Sequence, residues 1–161
     1  MTTRAQELSV AIARAVSGPI WHGPALMDLI GDVTAEQAMA RPIAAAHTIW
    51  ELVAHLTAWA EIVYLRLNDP NTPEATPEQD WPQIGDPSAE AWRDAVERLK
   101  NAHADLALHV SQMDETALRQ RVTGRDYVAL VMLHGVVEHD AYHGGQIALL
   151  KRALEHLDRR T

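Results

Sequence analysis

Apolar residues recur at helical spacing over four long stretches of this chain, and glycine and proline break the pattern between them. Residues 3–16 place Leu8, Ala11, Ile12 and Ala15 three and four positions apart, which is one face of an amphipathic helix. Gly18-Pro19 stops it. A second piece restarts after Pro24, a residue suited to a first helical turn. Thr34 with Gln37 three positions on has the form of a capping box for another short helix. The N-terminal third therefore reads as one long, broken helical arm.

Residues 46–67 carry Ile49, Leu52, Val53, Leu56, Ile62, Val63 and Leu67 with no Gly or Pro between them, which predicts an uninterrupted helix. The next twenty residues, 68–87, hold Pro70, Pro73, Pro77, Pro82 and Pro87, too many to sustain helix or central strand. A loop of that length inside a compact domain is unusual unless it has a function. Its Asp80-Trp81-Pro82 run is either an anchored lid or a pin that holds the loop down.

Ser88 is a fitting N-cap for a helix over 89–112 that buries Trp92, Val96, Leu99, Leu106 and Val110, and Asp114 caps a short turn after it. The last helix is expected over 126–157, which has no proline and ends in basic residues. Four long helices with no strand and no repeat predict an all-α fold, a four-helix bundle, in a single domain covering 1–161.

Composition narrows the class. Apolar residues make up 47% and charged residues 22% of the 161, near the values for soluble globular proteins. No apolar run approaches the roughly 20 residues of a membrane span. Arg4, Glu7 and Arg14 interrupt any signal-like segment, so a cytoplasmic protein is expected. The absence of cysteine excludes disulfides, a thiolate nucleophile and cysteine-held metals. A net charge of −8, with basic runs only at Lys151-Arg152 and Arg159-Arg160, disfavours nucleic acid and leaves a small molecule as the expected partner.

Histidine is the chemistry-bearing residue. His139 and His143 stand four apart, so both project from one helix face and can grip one ion. Nine histidines make such a pair common by chance, and the glutamate of the zinc-protease HExxH pattern is missing. Surface or core histidines thus stay open as the alternative. A third ligand must come from another element, and His55 is one option, mid-helix on a face with Thr48, Glu51, Leu52 and Trp59.

Other residues have weaker claims. Gln146, seven after His139, returns to the same face and is placed to touch a substrate, orient a ligand or simply be satisfied at a bundle end. Glu51 is one turn before His55 and is a candidate partner for that ring's second nitrogen. His22, in the WHGP run, is a candidate pocket residue if the broken arm folds over the bundle mouth. His47 is two turns from His55 and badly placed for ligation, and His134 points away from His143. His103, His109 and His156 read as surface residues. Gly144-Gly145 in mid-helix calls for close helix approach or room beside a metal.

The segments HTIWELVAHLTAW at 47–59, EHDAYHGGQIALLKR at 138–152, WHGP at 21–24 and DWP at 80–82 resemble the DinB-like superfamily of bacterial metal-binding proteins. That group includes YfiT-like hydrolases and several thiol-dependent transferases. The resemblance implies an up-down-down-up bundle with a long connection between the second and third helices. It also implies a divalent metal on His55, His139 and His143.

Three imidazoles leave an open coordination position, the form of a catalytic site, whereas structural zinc commonly has four protein ligands. Zinc or nickel is the expected ion, with iron or manganese also compatible with an all-nitrogen site. The expected function is a metal-dependent hydrolase or thiol-dependent S-transferase acting on a small molecule, with a low-molecular-weight thiol as a candidate cosubstrate. The alternative is a non-catalytic metal-binding stress-response protein. A homodimer is expected for a bundle of this size.

Overall fold

Capping side chains decide where most of the helices begin. The structure is a computed structural model and describes residues 2–69 and 71–159; Pro70 of the proline-rich connection and Arg160 of the terminal basic run lie outside them. Helix α1, Arg4–Ser17, starts on Thr3, whose hydroxyl accepts from Gln6 N while Thr3 N donates to the Gln6 side chain. Two short helices follow, α2, Leu26–Ile30, and α3, Ala35–Met39, the latter on the Thr34–Gln37 box. The N-terminal third is thus broken where its glycines and prolines indicated.

Helix α4, Ile49–Asn68, begins on Thr48, and here Glu51 completes the capping box. The proline-rich connection is not helix-free as expected. It contains one turn, α5, Pro77–Asp80, in which Thr76 and Gln79 form a box and Pro77 occupies the first turn, where its missing N–H costs nothing. Helix α6, Ala89–Ser111, starts on Ser88, and α7, Glu115–Arg119, on Asp114.

The last helix, α8, Ala129–Asp158, begins three residues later than periodicity predicts. Residues 121–128 instead fold back on themselves. Val122 N donates to Tyr127 O, Ala129 N donates to Gln120 O, and Gly124 takes the left-handed φ of 72° that the turn requires. Among the described residues there is no strand, only two isolated bridges. No helix among them is long and apolar enough to cross a membrane.

The long helices pack cyclically: α1 lies against α6 and α8, and α4 against the same two. Their apolar stripes form two clusters. One gathers Leu26, Ile30, Ile49, Leu52, Leu99 and Ile147; the other gathers Leu8, Ile12, Val63, Leu106, Val110 and Leu133. Each fully buried side chain of this kind is worth about 1.5–3 kcal/mol. Between the clusters the helices turn polar. On α6, His103 sits between Leu99 and Leu106, and on α8, His139, Asp140 and His143 sit between Val136 and Ile147. His55, His103, Asp140 and His143 thus lie buried in one layer.

Candidate metal centre

His55 lies mid-way along α4, and His139 and His143 occupy successive turns of α8 where α4 packs on it. One nitrogen from each of the three rings falls within a group whose members are all within 4.8 Å of one another. The Nε2 atoms of His55 and His139 are 3.0 Å apart. Such a separation needs a proton or a cation between the two lone pairs. It is close to the nitrogen–nitrogen edge of about 3.3 Å in a tetrahedral zinc site with bonds of about 2.0–2.1 Å.

Two of the three rings are oriented by a partner on their other nitrogen. His55 Nδ1 donates to the backbone carbonyl of Asp80 at 2.6 Å, and His143 Nδ1 donates to Gln146 Oε1 at 2.6 Å. Both bonds fix the tautomer that leaves Nε2 unprotonated, as metal ligation requires. Burial lowers the proton affinity of all three rings. For His139 the neighbouring His143 and His55 add to that effect, and its pKa falls to about 4. The centre therefore holds neutral imidazoles at neutral pH.

The proline-rich connection closes over this point. Trp81 stacks on His55 at a centroid distance of 4.0 Å and on His47 at 3.6 Å, both nearly parallel. Asp80 Oδ1 accepts from Trp59 Nε1 at 2.7 Å. Asp80-Trp81 thus both pins the loop and forms part of the site.

The other candidates fall elsewhere. Glu51 is not the partner of His55; it caps α4 through Thr48 N and pairs with Arg41 and His47. His22 is exposed beside a separate cavity, lined by Leu26, Gly144 and Arg152, that contains none of the three histidines. His134 is exposed. The glycine pair leaves no room beside the centre either. Gly144 packs under Leu26 and Leu29 of α2, and Gly145 faces open space.

His103 is a correction to the surface expectation, being 1% exposed. Its Nδ1 donates to Leu99 O and its Nε2 to Asp140 Oδ1, at 2.9 and 3.1 Å. Burial, the largest single effect, would lower its pKa, but the Asp140 charge and the hydrogen bonds to Asp140 and to Leu99 O together outweigh it and raise the pKa. A signal was present, because Leu99, His103, Leu106 and Val110 share one stripe of α6.

A cavity of about 460 Å³ opens beside the histidines between α4 and α8. His55, His139 and Asp80 stand at its wall with Trp59, Val63 and Met132.

An all-helical protein with three convergent, buried or half-buried neutral histidines can hold a divalent ion. The profile of the DinB superfamily matches residues 21–147, and the chain belongs to that superfamily. No curated protein and no solved structure matches it.

Proposed function

We propose that this protein is a metal-dependent enzyme of hydrolase or thiol-dependent S-transferase type, acting on a small molecule at a divalent ion held by His55, His139 and His143. The observation that carries this reading is the cavity beside the histidines, since a purely structural site has no use for an adjoining chamber. Family membership supports it. The cyclic packing of α1, α6, α4 and α8 and the long connection between α4 and α6 support an up-down-down-up four-helix bundle.

When bound, the ion supplies a Lewis acid that favours deprotonation of a water or thiol, with zinc or nickel ahead of iron or manganese. The chain's own residues do the rest. Asp80 and Gln146 hold two rings in the ligating tautomer, and Trp81 covers His55. Each carboxylate at the cavity wall has its Oδ1 engaged, Asp80 by Trp59 and Asp140 by His103, and Asp140 Oδ2 is buried. Thiol transfer needs no separate base, so this favours the transferase over the hydrolase. A cytoplasmic homodimer is the proposed setting. The exposed stripe of Val131, Tyr142 and Leu149 along α8 supports a second copy as the partner.

The test is elemental analysis of untagged protein, followed by thiol-conjugation and hydrolysis assays with the loaded form. One ion per chain is expected, lost in His55→Ala and His139→Ala, with activity lost in parallel. An ion whose removal lowers only the melting temperature, with no thiol-dependent or hydrolytic turnover, would establish the structural alternative.

A further inference from the structure

His55, Trp59, Val63 and Arg66 follow one another at spacings of four, four and three, so they form one stripe of α4, and all four line the cavity beside the histidines. Helical side chains lean toward the helix N-terminus, which carries Arg66 back toward the site. Its guanidinium carbon lies 5.5 Å from the Trp59 ring centroid, and that ring is 6.1 Å from His139 and 6.4 Å from His55. The cation and the histidines are thus within reach of one indole.

Arg66 is unusual in its surroundings. Its side chain is only 5% exposed, yet Nε is buried with no hydrogen-bond partner among the described residues. Burying a guanidinium without satisfying it is costly, so an enclosed, unpaired Nε on a residue that lines a cavity points to a ligand that meets this guanidinium. The charges around it leave the same vacancy. Glu74 is the nearest carboxylate, but it lies 3.7 Å from Arg66 Nη2, is 72% exposed, and is bound directly by Arg125. Two guanidiniums share one solvent-facing carboxylate, which leaves an excess positive charge. The wall between Arg66 and the histidines is apolar, made by Trp59, Val63 and Met132.

We propose that Arg66 is the anion anchor of this cavity and that the ligand is a small molecule with an apolar body and a carboxylate. The inference rests on the cavity being the substrate site proposed above. The Nε edge of a guanidinium offers parallel donors that match a carboxylate's two oxygens, and the Trp59 face flanks both the cation and the apolar body. Arg66 binds the end of the ligand remote from the histidines. It is a binding residue and takes no part in bond making.

The test uses zinc-loaded full-length protein and a matched pair of probes, phenylhexanoate and phenylhexanol, titrated by calorimetry at fixed ionic strength. The wild type is expected to prefer the carboxylate by about tenfold or more, the size of one charge-assisted hydrogen bond. Arg66→Gln is expected to abolish that preference with the zinc content unchanged. Arg66→Lys keeps the charge without the planar donor edge and is expected to retain part of the preference, which guards against a misfolded Gln variant. Equal affinities in the wild type, no binding of phenylhexanoate, or a preference that survives Arg66→Gln overturns the inference. The same titration on metal-free protein separates the two readings. If no zinc is taken up, the proposed function fails while an Arg66-dependent preference still supports the anchor; if zinc binds without that preference, the anchor alone fails.

Discussion

The backbone carbonyl of Asp80 receives the Nδ1 proton of His55 at 2.6 Å, a bond between residues 25 apart in sequence. A main-chain acceptor cannot be removed by substituting its own side chain, so this bond depends on how the connection is held against α4. Trp81, stacked on His55 and His47, and the Asp80 side chain, bonded to Trp59, are the parts that hold it.

Trp81→Ala should therefore weaken zinc binding without touching a ligand. Partners of ligating histidines are commonly worth about 10- to 100-fold in metal affinity. A loss of about tenfold, measured by competition with a chromophoric chelator while the helical circular dichroism stays unchanged, is expected. Unchanged affinity would show that the loop merely lies on the site.

The His103–Asp140 pair should behave as a buried ion pair. Both groups are almost wholly enclosed, at 1% and 2% exposure, and Asp140 Oδ2 has no hydrogen-bond partner among the described residues. Removing one partner of such a pair strands the other charge and costs about 3–5 kcal/mol. Urea unfolding should show that cost for His103→Ala. The His103→Ala/Asp140→Ala double variant should be less destabilised than the two single losses sum to.

Acid and base should act on different histidines. His55, His139 and His143 have depressed pKa values in the folded state, so below about pH 6.5 the unfolded chain binds protons that the folded one refuses, and stability falls as pH is lowered. For His139 the loss runs from about pH 6.5 to its folded value of about 4, and is on the order of 1–2 kcal/mol after allowing for solvent screening. His103 has the opposite sign. Its raised pKa gives a contribution that is complete below about pH 6.5 and disappears as pH rises through the folded value. Urea titrations of the metal-free protein across this range should find maximum stability near neutrality. A monotonic rise into acid would contradict the assignment.

The glycine pair gives a test with the reverse direction. A Cβ at Gly145 meets nothing within 4 Å, so Gly145→Ala should gain helix propensity of about 1 kcal/mol, or about 2–4 °C in melting temperature. At Gly144 a Cβ would reach Leu26 and Leu29 at ordinary contact distances of 3.5 and 3.6 Å, so Gly144→Ala should be tolerated. Loss of metal affinity in either variant would mean that the pair serves the site after all.

Periodicity and capping residues carry most of the fold into view. Thr34, Ser88 and Asp114 start helices where expected, and the spacing of four between His139 and His143 already puts them on one face. Glu51 shows the limit. Its place one turn before His55 suggests a ligand-orienting role, but the side chain closes the cap on Thr48 and the backbone of Asp80 orients the ring instead. A carbonyl has no sequence signature, so no pattern could nominate it. His103 and Asp140 lay on apolar stripes and were detectable as buried. Their pairing depends on which helices meet, which local spacing does not encode. Arg66 is hidden for the same reason, since its significance lies in the cavity that a second helix completes.

The polar layer across the interior has a mechanical consequence. Two apolar clusters share the same four rods but are not continuous with one another, so each can loosen on its own. An ion joining α4 to α8 within that layer would act as a rivet. Amide exchange should then register two separately opening blocks in the metal-free chain, one around Leu52 and Ile147 and one around Leu106 and Leu133, merging into a single cooperative opening once the rivet is in place.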